Sequence, residues 1–473
     1  MAMEATMSDY ERRRLENIKR NGEMMASLSI HSHLSDLSSL SKRLRRENVR
    51  KYQKRPKVAE GSVVIRRSFR TQGIPPHFDG LPHHYNESLV PSINTPNVGP
   101  VSMSDVYKGE CSYQKLVHKF TCHTENDTPL GTSQIQRIKA EKNIDCKSFK
   151  LEPQNVARVL SENILAVRFL PSSDLDIVVV GNRKGELGFW DVSQRSEVGD
   201  GIYVYQPHHA AISGISVHPF SLSKVYTSSY EGLIRSMNIE REEFDLVYSS
   251  SSGSALYSIS QQPNDANSIY VSEGLGVLNI YDERGRKIVN SWSLHEERIN
   301  CIDINSANSF IIATSSSDGL ACLWDLRKMD VKHGHCKALQ TVDLGRTVLS
   351  AYFSPSGSCL AMSSVGCSIN VLSGANFEDL YKFRDSSHKE HIHKNRWSTS
   401  PRAVWGWDDE HLFASEMKRR IKILSVNRRI AIHTLESFHM SNISHQYDAH
   451  PCKVGMLAAA TNGGYVYIWT SSL

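Results

Sequence analysis

Lysine and arginine recur in short polar loops far apart along the 473-residue chain. They are Arg183 and Lys184 in GNRKGE, Arg298 in HEERIN, Arg346 in LGRTV, Arg396 beside Trp397 in KNRWSTS, and Lys418, Arg419 and Arg420 in EMKRRI. Taken singly, such residues are ordinary solvated surface charge. Held around one axis, the same cations would neutralise successive phosphates of a polyanion and release its counterions. Two further groupings stand out: His295, Thr314, Asp318 and Trp324, and the pair Asp325 and Arg327 in WDLR. An arginine just past a strand end is placed to grip a carboxylate bidentately. Catalysis has little support. His388, His391 and His393 do not have the His-Glu-x-x-His spacing of a metal site, and Gly274-Leu-Gly276 lacks a phosphate-loop continuation. No nucleophile–base or paired-carboxylate set appears, so we expect no enzyme, no metal and no cofactor.

These side chains depend on a repeated strand pattern for their placement. Between Leu294 and Lys328, the runs INCIDI, FIIAT and LACLW alternate apolar and polar residues and are separated by Asn, Ser and Asp-Gly turns. Four strands in roughly 40–45 residues, ending in Trp-Asp, resemble one blade of a WD-repeat β-propeller. In that family the residues matching His295, Thr314, Asp318 and Trp324 form a hydrogen-bonded chain. Equivalent strand ends fall at Trp190, Met237, Tyr281, Trp324, Leu372, Leu424 and Trp469, 43–52 residues apart. Seven blades follow, only three of which keep the tryptophan. In an all-β, seven-bladed ring the loops listed above would share one rim. The last blade would lack its outermost strand, leaving an unpaired edge. A segment around Asn155–Leu160 is expected to supply it.

Composition divides the chain. Residues 1–80 hold 17 Lys/Arg against 9 Asp/Glu, while the whole chain is only +5. Residues 1–72 therefore read as a basic extension, with a helix over 8–30 and nine basic residues against one acid in 42–57; Arg66, Arg67 and Arg70 continue it. Residues 73–150 read as an irregular linker, with a helix near Gln134–Lys142, and 151–473 as the propeller. The N-terminus has charges where a signal peptide needs an apolar run, and no stretch is long and apolar enough to span a bilayer. Nine scattered cysteines without a Cys-x-x-Cys pair argue for reduced thiols.

The stretches SDYERRRLENIKRN, RRSFR, GNRKGELGFWDV, SSYEGLIRSMN, SDGLACLWDLRK, AYFSPSG and NRWSTSPRAVW together resemble the family of WD repeat-containing protein 76 and its fungal relatives named for changed mutation rate. These are cousins of the small subunit of the UV-damaged-DNA-binding complex. The resemblance implies a monomeric nuclear protein that binds DNA, favours damaged duplex and acts in the damage response, with histones or chromatin as further partners. Asn395-Arg396-Trp397 stands where the cousin inserts a hairpin beside flipped bases, although its residue types differ. The run from Ile312 to Arg327 resembles the box by which substrate receptors of the cullin-4 ubiquitin ligase dock on the propeller adaptor damaged-DNA-binding protein 1, with Asp325 and Arg327 at the contact. The alternative is a protein–protein scaffold or histone-peptide reader whose basic tail serves import.

Overall fold

Short alternating runs broken by Gly, Asn and Asp turns fold here into seven antiparallel sheets arranged as a β-propeller. The computed structural model describes residues 16–20, 23, 99–126, 144–194, 201–262, 264–265, 267–329, 336–366, 368–383, 402–416 and 418–471. The chain divides into two units, Met1–Ser88 and Leu89–Leu473. In the first, residues 16–20 are helical and exposed, within the stretch expected to form a helix. The basic run 42–57, Arg66, Arg67, Arg70 and the segment Gln134–Lys142 lie outside the described residues.

The innermost strands of the seven blades are Ile164–Phe169, Ile212–Val217, Leu256–Gln261, Ile299–Ile304, Val348–Phe353, Val404–Trp405 and Ser444–Ala449. Each touches the next, and the seventh touches the first, so the ring closes around a central channel. The middle strands are sandwiched between neighbouring blades. Ile177–Asn182 and Met456–Thr461 are accordingly buried along their whole length, whereas the outer strand Lys287–Ser293 is mostly exposed. All seven strand-end residues named above occupy the penultimate or a near-terminal position of a third strand. Where tryptophan is absent, other bulky groups fill its place: Met237 is fully buried, and Tyr281 donates its hydroxyl to the carbonyl of Val247 at 2.7 Å. Packing volume on that face is thus retained although the motif is lost.

Closure follows the expected route. Val156–Arg158 pairs antiparallel with Tyr465–Ser471, with Val156 opposite Tyr467 and Arg158 opposite Tyr465. Phe149–Lys150 extends the same edge opposite Ser471 and Thr470. The backbone N–H of Val159 donates to the Gly464 carbonyl at 3.0 Å. Gly464 has φ +80°, and a Cβ there would sit 1.9 Å from the Leu160 carbonyl oxygen, so only glycine lets the closing segment approach.

Within the stretch read as linker, residues 99–126 are built onto blades one and two. Val101–Ser102 adds a fifth strand to blade two, pairing with Glu243 and Phe244. The helices Met103–Val106 and Gln114–Asn126 follow. Met103, Leu116 and Phe120 are buried in one cluster with Phe189, Tyr205 and Phe244. The buried guanidinium of Arg235 donates to the Gly99 carbonyl at 2.7 Å, and Lys119 pairs with Asp191 of the blade-one Trp-Asp.

Candidate nucleic-acid interface

Blade four shows how the loops of the rim are held. Trp324 Nε1 donates to Thr314 Oγ1 at 2.8 Å; Thr314 Oγ1 lies 2.7 Å from His295 Nε2, and His295 Nδ1 lies 2.9 Å from Asp318 Oδ2. A neutral imidazole with its proton on Nδ1 satisfies every contact: the threonine hydroxyl donates to Nε2, and Nδ1–H donates to the carboxylate. Burial pushes His295 below its ordinary pKa despite Asp318, which keeps the ring neutral. The chain ties the loop leading into blade four to the turn between its second and third strands. Blade two repeats the device in altered form, with His208 Nε2 2.8 Å from Thr227 Oγ1 and Nδ1 2.5 Å from Glu231.

One backbone bond recurs around the ring. The turn between second and third strands donates an N–H to the loop leading into its own blade, as Arg183 to Asn163, Tyr230 to Ala211, Gly274 to Ala255, Ser317 to Arg298 and Val365 to Thr347, at 2.9–3.1 Å. These turns and leading loops therefore form a single rim. Arg183 and Lys184 lie on the turn of blade one, Arg298 and Arg346 on the loops leading into blades four and five, and Lys418 and Arg419 on the turn of blade six, with Arg420 opening its third strand. Arg396 and Trp397, like the histidines 388, 391 and 393, lie outside the described residues. Among the described residues, no cluster of His, Cys, Asp and Glu could hold a metal ion.

The cations are not equally available. Lys184 is 2.8 Å from Glu162 and Arg420 is 2.6 Å from Glu436. Arg419 donates to the Ser441 carbonyl at 3.4 Å. Arg298 donates from Nε to Ser317 Oγ at 3.1 Å, and its guanidinium lies 5.4 Å from the centre of the Tyr257 ring. Exposed Glu296 and Glu297 precede it in sequence. Among the described residues, the side chains of Arg183, Arg346 and Lys418 are exposed and pair with no carboxylate. A Cβ at Gly366 would lie 2.9 Å from Arg346 Nη1, which places that guanidinium over the neighbouring turn of blade five.

Two aromatic residues join this rim that the charge pattern alone did not single out. Tyr230, 43 % exposed, packs against Tyr257 with ring centres 5.4 Å apart, and Tyr257 in turn carries Arg298. A tyrosine pair capped by a guanidinium offers π-faces next to positive charge, the combination on which unpaired bases stack. The only sequence signal was the alignment of SSYEG in blade two with SSSDG in blade four, which sets Tyr230 at the turn position of Ser317.

On the opposite rim, Asp325 is buried and Arg327 is 55 % exposed. The fork predicted to grip a carboxylate has one already. Arg327 Nε and Nη2 donate to Asp325 Oδ1 and Oδ2, each at 2.9 Å, and the guanidinium lies 5.0 Å from the centre of the exposed Phe310 ring. Hydrogen bonding by Arg327 lowers the Asp325 pKa below the usual carboxylate range. Asp325 thus fixes the arginine in place and is itself withdrawn from the surface.

Comparison with known proteins fits this architecture. No family model matches the chain. It is 26% identical to WD repeat-containing protein 76 of Xenopus laevis, over 98% of this chain and 80% of that protein. To the mouse protein of the same name it is 24% identical, over 98% and 74%. To DNA damage-binding protein CMR1 of Vanderwaltozyma polyspora it is 24% identical, over 98% of both. The chain is homologous to these WD-repeat proteins over nearly its whole length.

Proposed function

We propose that this propeller acts in the nucleus as a DNA-binding protein of the damage response, gripping duplex phosphates with the rim that carries Arg183, Arg298, Arg346 and Lys418–Arg420. The observation that carries this reading is the shared rim, where Arg183, Arg346 and Lys418 are free of carboxylate partners among the described residues, beside the Tyr230–Tyr257–Arg298 cluster. Relatives named for binding damaged DNA support it. The cations fix register and supply salt-dependent affinity, and the tyrosines accept a base where damage has weakened stacking. Trp397 belongs to the same reading as the wedge of the blade-six loop. Three phosphate contacts predict a log–log salt slope of about −2.7 for duplex binding. We expect substitution of Arg183, Arg346 and Lys418 by glutamate to flatten the slope of the full chain by that amount, read by fluorescence anisotropy on intact and UV-treated duplex. An unchanged slope would assign binding to the basic N-terminal extension and overturn the role of the rim.

A second reading rests on the other rim. A guanidinium held by Asp325 and backed by exposed Phe310 is a preorganised contact for the adaptor damaged-DNA-binding protein 1 of the cullin-4 ligase, and the two rims can be occupied together. Arg327→Ala is expected to abolish co-purification with that adaptor; full retention refutes the contact.

A further inference from the structure

The channel at the hub of the propeller holds two arginines that no loop pattern indicated. Arg402, which leads into blade six, crosses the channel: Nη1 donates to the Tyr352 hydroxyl of blade five at 3.0 Å and Nη2 reaches the Asn300 carbonyl of blade four at 3.5 Å. Its Nε is buried without a hydrogen-bond acceptor. Arg168, on the inner strand of blade one, lies 3.4 Å from Asp448 of blade seven, whose other oxygen accepts the Phe169 N–H at 2.7 Å. Arg168 also feels the like charge of Arg402. Both arginines line a cavity of about 30 Å³, together with Tyr352, Cys301, Ser258 and Gln446, and no carboxylate is in that lining. The volume suits about two water molecules or one small head group.

Arg402 is therefore a half-buried guanidinium, its Nε shielded from water, with only a phenol and a carbonyl as hydrogen-bond partners among the described residues. A charge so placed favours a counter-charge: Arg168 has the carboxylate of Asp448, and the lining offers none to Arg402. We infer that the channel is a binding site for a small oxyanion, a phosphoryl or carboxylate head group held between Arg402 and Arg168 at the hub of the seven inner strands. The Nε–H of Arg402 is the unused donor, and the Gln446 amide, which bonds no other described residue, is a neutral donor in the same lining. This site is separate from the rim proposed for DNA, and its test uses no nucleic acid.

The full chain is titrated with inorganic phosphate, and separately with acetate, at constant sodium chloride ionic strength, reading heat of binding and melting temperature. Saturable binding is expected for at least one anion, with a rise in melting temperature; phosphate alone identifies a phosphoryl site, and acetate as well identifies a carboxylate site. Arg402→Met should weaken binding about ten- to a hundredfold, the loss of one charge-assisted contact, whereas Lys287→Ala on the exposed outer strand of blade three should leave it unchanged. If Arg402→Met does not fold, Arg402→Lys, which keeps the charge but loses the fork, should bind measurably more weakly than the parent. No saturable binding of either anion, binding unaffected by both Arg402 substitutions, or equal loss in Lys287→Ala would overturn the proposal.

Discussion

Replacing Thr314 by valine tests the idea that a single hydroxyl ties blade four together. The side chains are nearly isosteric, so the cavity stays filled and only hydrogen bonding changes. Thr314 Oγ1 accepts from Trp324 Nε1 and meets His295 Nε2, and both partners are buried. The substitution leaves one donor and one acceptor unsatisfied, each costing about 1–3 kcal/mol. The added methyl returns at most about 0.8 kcal/mol. A net loss of about 1–5 kcal/mol follows, measurable by urea unfolding followed by far-UV circular dichroism at unchanged m-value. Trp324→Phe removes the orphaned donor, so in the double variant the two losses should be sub-additive by about 1–3 kcal/mol. A Thr314→Val loss below about 0.5 kcal/mol, within the range of ordinary surface substitutions, or strict additivity with Trp324→Phe, would show that the chain of bonds is present but carries no stability.

Other outcomes can be checked alongside. Gly464→Ala forces a Cβ to within 1.9 Å of the Leu160 carbonyl at φ +80°, so it should destabilise the closed ring by more than about 1 kcal/mol and make the chain before residue 160 sensitive to protease; equal protection in both proteins would argue against closure at this edge. His445 is buried, donates from Nε2 to the Ile164 carbonyl at 2.8 Å, and burial lowers its pKa from 6.5 to about 4. Its contribution is complete above pH 6.5 and is lost as pH falls through about 4. His450 is lowered to about 4 by burial as well. His445→Gln should therefore remove its own share of the acid-dependent stability loss in that window, about 3 kcal/mol, and an unchanged slope in urea titrations across it would exclude this histidine as a source.

Much of the architecture was legible because it is written locally. Alternation over five or six residues, a glycine at positive φ in many of the tight turns, and the His-Thr-Asp-Trp spacing of blade four all act over short stretches, so INCIDI or LACLW announces a strand wherever it lies. Blades without tryptophan were still countable, since Met237 and Tyr281 keep the apolar period after the motif has gone. The need for a closing strand also followed from the strand count, as blade seven had three strands where its neighbours had four.

What the tertiary structure alone decided is which distant side chains meet. Arg402 looked like any cation before a strand until ring closure set it across the channel from blades four and five. Tyr230 and Tyr257 became a tilted aromatic pair because blades two and three adjoin. Residues 99–126, weak in periodicity, became part of blade two because an open strand edge and the buried Arg235 guanidinium were there to receive them. Arg327 read as a free fork, yet Asp325, two residues earlier, turns inward and takes two of its donors, Nε and Nη2. A repeat sequence specifies each sheet through neighbours along the chain; the hub and rims arise from contacts between residues hundreds of positions apart, fixed only once seven sheets have closed into a circle.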